Sequence, residues 1–306
     1  MKCPITYMET DSRYSTDGLK AINRNLKKLH DLPYTKDELR FEAAARSEKM
    51  SIQGVQPKLS ARLNIKDGIL ELCDRGGQYI LKPQSADYPE LPENEDLTMR
   101  LAKTYHLEVP LHFMVYGKDG SLTYVIKRFD RKGKNMKLSV EDFAQLSGAT
   151  RDTKYRSSME QVAKIIEKYC TFPQIEKEKL FRLTLFSFIT GNEDMHLKNF
   201  SLIYEGVKVK LSPVYDLLNT TIAIPNPIEE LALPLKAKKN KITKSDFIDY
   251  FGTERLGLNE IIIDKAVSQL QSVSAEWEST IRASFLSKNM QDKYIQLLLE
   301  RQQRLF

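Results

Sequence analysis

The apolar residues of this chain change their spacing once, near residue 129, and that change limits the folds available to it. In KLSARLNIK, Leu59, Ala61, Leu63 and Ile65 alternate with polar residues, as in a strand with one buried face. Four more strand-like segments follow, with one helical stretch between the third and fourth strands: ILELC, GQYILKP, ENEDLTMRLAKTY (the helix), HFMVYG and LTYVIKRFD. The order strand, strand, strand, helix, strand, strand predicts a small lobe built on a sheet.

Two helical patterns precede this sheet. The segment DGLKAINRNLKKL spaces its apolar residues helically as far as Leu29, which predicts a helix over its length. In TKDELRFEAAARSE, Thr35 and Glu38 have the spacing of a capping box, so a second helix is expected to begin there.

Helical segments dominate after Phe129. We therefore predict an α+β chain with a small mixed sheet-and-helix N-lobe over residues 1–128 and a larger, all-helical C-lobe over residues 129–306. The helical segments are SVEDFAQLSG, SMEQVAKIIEKYC, KEKLFRLTLFSFITG, LNEIIIDKAVSQLQSVSAEWESTIRASF and NMQDKYIQLLLERQQRL.

Composition excludes several classes of protein. The sequence has no apolar run of the roughly 18 residues needed to span a bilayer and no secretory signal pattern, so we expect a cytoplasmic protein that does not act at a membrane. Its three cysteines, Cys3, Cys73 and Cys170, are far apart, which excludes a disulfide framework and gives no structural zinc site. The formal net charge of +6 is dispersed. The basic run Lys236–Lys244 is typical either of a solvated loop or of a binding patch.

One stretch places polar residues between two apolar segments. In FSFITGNEDMHLKNFSLI, six of the eight residues from 192 to 199 are polar or charged, and such groups are costly to bury unless they are paired or used. Asp194 and Asn199 lie five positions apart, as do the Asp and Asn of the protein-kinase catalytic loop, and Asp216 follows seventeen residues beyond Asn199. The pattern suits either phosphoryl transfer or a capped loop between two helices.

The N-lobe offers a lysine for such chemistry. Lys82 ends the third strand, and the following helix carries Glu93 and Glu95, either of which could hold the lysine as an ion pair. A hinge between the two lobes, with main-chain groups open to a ligand, would fall at IKRFD. A lysine at the end of a strand is also common on a solvated sheet edge.

A series of sequence blocks in fixed order resembles the HipA-like serine/threonine kinase toxins of bacterial toxin–antitoxin systems. The resemblance covers about residues 45 to 250 and implies a bilobal, protein-kinase-like fold. The blocks are SIQGVQPKLS, YILKP, NEDLTMRLA, YVIKRFDR, EDFAQLSG, GNEDMHLKNFSLI, LSPVYDLLNT and LALPLKAKKNKIT.

The resemblance implies roles for the polar stretch. Asp194 would be the catalytic aspartate facing the acceptor hydroxyl, and His196 and Lys198 would complete the catalytic loop. Asn199 and Asp216 would hold Mg²⁺. No glycine follows Asp216, so the switch of the Asp-Phe-Gly segment in other protein kinases is not expected here.

For ATP, the resemblance implies that Lys82 contacts the phosphates and that the main chain around Lys127, Arg128 and Phe129 receives the adenine. Glu95 is the preferred partner of the lysine.

The loop SIQGVQPK would take the place of a glycine-rich loop, with Ser51 as an inhibitory autophosphorylation site. Phosphate on Ser51 would set negative charge against the ATP phosphates. Gly54 supplies backbone freedom, while Gln56 and Lys58 can bond phosphate. The competing interpretation is an exposed turn with an idle serine.

The resemblance also implies partners. The substrate would be a protein of the translation apparatus such as an aminoacyl-tRNA synthetase, and a HipB-like DNA-binding antitoxin would connect the kinase to DNA only indirectly. Fifty residues precede Ser51, which resembles a short form of the family, so an additional N-terminal subdomain is expected as a small separate protein.

Two other functions stay open from the sequence. A small-molecule kinase would use a similar Asp-to-Asn loop, and phosphorylation of a metabolite without a protein acceptor would favour it. A non-catalytic module would bind DNA or an antitoxin and would not bind ATP.

Overall fold

The computed structural model describes residues 1–46, 57–133, 136–150 and 152–306. These residues form two compact units. The first comprises Met1–Leu97, Pro110–Arg131 and Ala283–Ser287, and the second comprises Thr98–Val109, Lys132–Arg282 and Lys288–Phe306. The proposed lobes, 1–128 and 129–306, stay a prediction.

The first unit contains a five-stranded antiparallel sheet with the strand order β2-β1-β3-β5-β4. The central strand β3 pairs Leu81 with Leu59 on one side and Lys82 with Tyr124 on the other. The predicted order of strands and helix is confirmed. The elements are β1 (Leu59–Asn64), β2 (Ile69–Leu72), β3 (Tyr79–Lys82), β4 (His112–Tyr116) and β5 (Leu122–Lys127), with helix α3 (Leu91–Thr104) following β3.

Helices α1 (Thr16–Ile22) and α2 (Lys36–Arg46) precede the sheet. The capping box before α2 is confirmed, because the Thr35 amide donates to Glu38 Oε2 at 2.7 Å and the Glu38 amide donates to Thr35 Oγ1 at 3.2 Å. Helix α1 is shorter than predicted. Asn23 is extended, and its side chain accepts a hydrogen bond from the Asn25 amide, a local bond that competes with the helix.

Apolar residues from the N-terminal segment are buried with residues of the sheet in one core. Although α1 ends early, Leu26 and Leu29 are still buried, so the helical spacing identified core residues without identifying their backbone conformation. The core includes Cys3, Ile5, Tyr14, Leu19, Ile22, Leu32, Leu39, Leu59, Ala61, Leu81, Phe113 and Val125.

The second unit is mostly helical. Its helices are α4 (Phe143–Leu146), α5 (Met159–Tyr169), α6 (Pro173–Ile189), α7 (Thr220–Ala223), α8 (Glu260–Ala275), α9 (Trp277–Ala283) and α10 (Lys288–Leu305), with a 3₁₀ turn at Leu197–Asn199 and a π-helical segment at Asp246–Arg255. The α+β class is confirmed.

The expectation of an all-helical second lobe is wrong, because this unit also contains a three-stranded sheet. Its order is β10-β9-β8, and β8 takes the first half of SVEDFAQLSG, which the sequence pattern assigned to a helix. Pairing with β9 overrides the local pattern, since Val140 lies opposite Ile203 across the ladder. The strands are β6 (Arg131–Lys132), β7 (Met136–Lys137), β8 (Ser139–Asp142), β9 (Ser201–Glu205) and β10 (Lys208–Leu211), of which β6 and β7 pair with each other.

Helix α6 is buried on nearly all sides and leads directly into the polar stretch. Pro173 occupies its first turn, where a missing amide costs nothing. Near its other end, the ring of Phe186 stacks on Tyr105 with centroids 6.4 Å apart and meets Trp277 edge-on at 5.7 Å. A helix packed in this way is a rigid base for the loop that follows it. Within the described ranges, no helix is long and apolar enough to cross a membrane.

Replacing Phe186 should measure how much this packing stabilises the second unit. Phe186 is fully buried, so we expect Phe186→Ala to lower the free energy of unfolding by about 3–5 kcal/mol. Phe172, 55% exposed at the start of the same helix, is the matched control, and Phe172→Ala should cost less than about 1 kcal/mol. Urea unfolding followed by circular dichroism would show the difference. Equal losses in the two variants would contradict the packing described for α6.

Candidate active site

The polar stretch begins where α6 ends. Gly191 follows the helix with a φ of +67°, and the Asn192 amide turns back to donate to the Ser187 carbonyl at 2.8 Å. A Cβ at Gly191 would lie 2.4 Å from Leu297 Cδ2 and 2.7 Å from Thr221 Oγ1. Both the backbone angle and the available space therefore require glycine at this turn.

Several hydrogen bonds join the start of this loop to α7. The Thr220 hydroxyl and the Thr221 amide each donate to the Gly191 carbonyl at 3.1 Å. In return the Glu193 amide donates to Thr220 Oγ1 at 2.7 Å, and the Thr221 hydroxyl donates to Glu193 Oε1 at 2.6 Å. We call this set of bonds the threonine latch. Because α7 begins only four residues after Asp216, the latch connects the loop of Asp194 to the segment of Asp216.

Inside the loop, main-chain and side-chain bonds converge on Asp194. Its carbonyl accepts from the His196 amide and from Asn199 Nδ2, both at 2.8 Å, and its amide donates to Asn192 Oδ1 at 3.2 Å. The 3₁₀ turn at Leu197–Asn199 brings Asn199 back to Asp194, which gives the spacing of five a structural cause. The Asp194 side chain itself stays 42% exposed and can meet a ligand.

Asn199 and Asp216 have the oxygen donors that magnesium prefers. Since Asn199 Nδ2 is bonded to Asp194, the amide oxygen of Asn199 is left as an acceptor. Asp216 adopts a φ of +55° directly after Tyr215, whose hydroxyl donates to the Lys198 carbonyl at 2.9 Å. No group of three or more His, Cys, Asp or Glu in the described ranges could hold a metal, so a Mg²⁺ here would also need phosphate oxygens.

His196 is buried beside Asp194. Burial lowers the pKa of His196, and the ammonium of Lys154 adds to this effect, whereas the carboxylates of Asp194 and Asp216 oppose it. Lys154 Nζ donates to His196 Nε2 at 2.6 Å, so the neutral ring carries its proton on Nδ1. His196 Nδ1 has no hydrogen-bond partner among the described residues. The neutral ring is therefore held in one position within the loop.

Sequence reasoning missed the residues that hold this loop from outside. Lys154 and Tyr155 contact His196 and Asp194 from about forty positions earlier in the chain, and nothing in their local sequence indicates this. Thr220 and Thr221 had a weak signal, since Asn219 and the following threonines are typical of a helix start. Lys198 lies in the loop and is half-buried, with its carbonyl bonded to Tyr215.

In the first unit, Lys82 is paired with Glu95 rather than with Glu93. Lys82 Nζ lies 2.5 Å from Glu95 Oε1, and both side chains are buried. The Lys82 ammonium also lies 5.6 Å from the centroid of the Tyr124 ring. Glu93 instead accepts from Gln84 Nε2 at 2.7 and 2.9 Å. The role of Lys82 and Glu95 toward ATP stays a prediction.

The segment proposed for adenine is partly engaged already. The Lys127 amide donates to the Leu111 carbonyl and the Arg128 amide to the Gln78 carbonyl, both at 2.8 Å, so these two amides are used within the unit. The Arg128 guanidinium forms two 2.9 Å bonds to the Asp130 carboxylate. The role of Lys127, Arg128 and Phe129 toward an adenine stays a prediction.

The residues predicted for the phosphate-covering loop fall mostly outside the described ranges. Ser51, Gly54 and Gln56 lie there, so their predicted roles stay predictions. Lys58 is described and immediately precedes β1, with a half-buried side chain.

Comparison with known proteins identifies the family. The profile of the HipA-like C-terminal domain matches residues 50–277, which include Lys82, Asp194, Asn199 and Asp216. The chain belongs to the HipA-like family. A Haemophilus influenzae protein named "Putative kinase" is 31% identical over 92% of this chain and 90% of its own length. The serine/threonine-protein kinase toxin HipA of Shewanella oneidensis is 27% identical over 56% of this chain and 43% of the toxin.

Solved structures show the same fold. The Shewanella oneidensis HipA, solved with HipB and operator DNA, matches 91% of this chain and 72% of its own with a TM-score of 0.70 at 22% identity. The Helicobacter pylori kinase CtkA matches 74% of this chain and 86% of its own with a TM-score of 0.54 at 16% identity. The HipA-like chain therefore has the kinase-like fold that its sequence blocks predicted.

The buried carboxylate of Glu93 predicts a pH dependence of stability. Burial raises the pKa of Glu93 to about 7, from an ordinary value of 4.5, so folding favours its protonated form. Its contribution to stability is complete below pH 4.5 and is lost as the pH rises to about 7. We expect Glu93→Gln to match the wild type near pH 4.5 and to be more stable at pH 8, by on the order of 3 kcal/mol.

Unfolding with urea at several pH values would test this. The control is Glu108→Gln, which makes the same substitution at an exposed glutamate. A Glu93→Gln variant whose advantage shrinks as the pH rises would contradict the assignment.

Proposed function

We propose that this HipA-like protein is an ATP-dependent serine/threonine protein kinase that acts as the toxin of a toxin–antitoxin system. The observation that carries the proposal is the state of Asp194. Its backbone is fixed by Asn192, His196 and Asn199, while its carboxylate remains partly exposed. A carboxylate held in this way suits a group that must meet an acceptor hydroxyl in a defined orientation.

Asp194 would act as the base of phosphoryl transfer. Its carboxylate accepts the proton of a serine or threonine hydroxyl as that oxygen bonds to the γ-phosphorus of ATP. The bond between the γ-phosphorus and the β–γ bridging oxygen breaks, and ADP leaves with the electron pair. Asp194 then returns the proton to solvent. When bound, Mg²⁺ would neutralise phosphate charge, and Asn199 and Asp216 would hold it.

Lys82 would contact the ATP phosphates. Its ion pair with Glu95 fixes the ammonium in a buried setting, which is the use that kinases make of such a pair. The main chain at Lys127–Phe129 would receive the adenine. Lys58, Gly54 and Gln56 would add phosphate contacts from the loop of Ser51.

Ser51 would be an autophosphorylation site that inhibits the kinase. A phosphoserine carries nearly two negative charges, which would repel the ATP phosphates from the same loop.

The proposed antitoxin follows from a solved relative, and the proposed substrate and small partner follow from the resemblance of the sequence blocks. Because the Shewanella toxin HipA was solved with HipB and operator DNA, we propose a HipB-like antitoxin for this chain and contact with DNA only through that antitoxin. The proposed substrate is a cytoplasmic component of translation such as an aminoacyl-tRNA synthetase, and a small separate protein would stand for the N-terminal subdomain.

Mass spectrometry of purified protein, before and after incubation with Mg-ATP, tests the proposal. Wild type should gain phosphate on Ser51, and Asp194→Asn should lose at least 99% of that activity because the base is removed. Asp264→Asn removes an exposed carboxylate from α8 and should leave activity unchanged.

The same variants should be expressed in growing cells, where wild type and Asp264→Asn are expected to arrest growth and Asp194→Asn is not. Phosphate on a metabolite with no protein acceptor would replace the proposal by a small-molecule kinase. No phosphate on any protein, together with no binding of ATP, would overturn the kinase and favour a binding module.

A further inference from the structure

Two consecutive residues between α4 and α5 contact the catalytic loop from the side. The Tyr155 hydroxyl donates to Asp194 Oδ1, and its ring meets the His196 ring edge-on with centroids 5.0 Å apart. Lys154 Nζ donates to His196 Nε2 at 2.6 Å, and the Lys154 carbonyl accepts from the Leu197 amide at 3.3 Å. The two residues therefore contact the loop through a main-chain carbonyl, an ammonium group, an aromatic ring and a hydroxyl.

The pair is itself anchored within the second unit. The Thr150 amide donates to Thr153 Oγ1 and the Arg156 amide donates to the Thr153 carbonyl, both at 2.8 Å, which closes a turn around the pair. Ser158 then caps α5, and the Met159 amide donates to the Pro234 carbonyl at 3.0 Å. Because the backbone of this segment is held in place, the Tyr155 side chain can hold Asp194 in one orientation.

The contact divides the two oxygens of Asp194. Oδ1 accepts from Tyr155 and lies 3.9 Å from His196 Nε2. Oδ2 has no hydrogen-bond partner among the described residues, and the carboxylate as a whole is partly exposed. One oxygen is thus held by the protein and the other is open to a ligand. Bases that work in enzymes are commonly oriented by a third group in this way.

We propose that Tyr155 is the positioning residue of the catalytic aspartate. Its hydroxyl holds Asp194 Oδ1 so that Oδ2 faces the hydroxyl of the acceptor, and Lys154 keeps Tyr155 in place by fastening the segment to His196 and Leu197. The assignment rests on the proposed kinase function. It adds a residue outside the catalytic loop that sets the rate of transfer without touching ATP.

The kinetic test compares two tyrosine-to-phenylalanine variants of the full chain. Tyr155→Phe keeps the ring against His196 and removes only the hydroxyl. Tyr204→Phe is the matched control, because the Tyr204 hydroxyl also donates to a carboxylate, Glu141 Oε2, on the sheet of the same unit. The readouts are kcat and KM for Mg-ATP in phosphoryl transfer to a generic protein acceptor, together with the thermal midpoint.

Tyr155→Phe should lower kcat about tenfold or more, as loss of a hydrogen bond to a charged group predicts, with the KM for ATP within about twofold of wild type. Tyr204→Phe should leave kcat within about twofold. A purely structural role for Tyr155 would instead lower the thermal midpoint and leave the kcat of the folded protein intact. An active wild type with an equally active Tyr155→Phe overturns the positioning role alone. An inactive wild type overturns the proposed function and this inference together.

Discussion

The carbonyl of Gly191 is the acceptor on which the arrangement of the second unit depends. It receives the Thr220 hydroxyl and the Thr221 amide, and so joins the end of the buried helix α6 to the short helix that follows Asp216. These bonds connect two loops that are more than twenty residues apart in the chain, and the bond from the Tyr215 hydroxyl to the Lys198 carbonyl adds a second connection. The glycine is required because a side chain would occupy the space of Leu297 and Thr221. A loop latched in this way can hold charged groups in one geometry before any ligand arrives.

Burial of polar groups is the second constraint. Lys82 and Glu95 are removed from water as a pair, and a buried charge left without its partner would be strongly destabilising. His196 is buried too, but it avoids this cost by remaining neutral, with a pKa lowered mainly by burial. Asp194 alone among these groups keeps much of its carboxylate exposed. Among these groups, exposure therefore distinguishes the residue that would meet the acceptor hydroxyl.

The sequence pattern predicted many of the helices and strands because contacts within each segment determine its backbone conformation. The alternation in β1, the capping box at Thr35 and the helical period of α5 each report the backbone of their own segment. The pattern failed where contacts with residues distant in the chain determine the backbone conformation. Residues 139–142 form a strand because they pair with β9 some sixty positions later. Helix α1 is a local exception, since it ends before Asn23, whose side chain accepts a hydrogen bond from the Asn25 amide.

In the candidate site too, local features could be predicted from the sequence and distant contacts could not. The spacing from Asp194 to Asn199 was readable because a single 3₁₀ turn closes it. The residues alone did not decide between Glu93 and Glu95, since both lie on one helix; the resemblance favoured Glu95, which is the glutamate that Lys82 contacts. Tyr155 left no trace in the sequence, because its role arises from a contact with a residue 39 positions away.

Calorimetric titration of ATP into the full chain, with and without Mg²⁺, tests whether the latched loop and the Asp216 segment form a metal–phosphate site. The wild type should bind ATP more tightly when Mg²⁺ is present, and Asp216→Asn should remove most of that gain, while Asp264→Asn keeps it. ATP binding that is equal with and without Mg²⁺, or a gain that survives Asp216→Asn, would contradict the account.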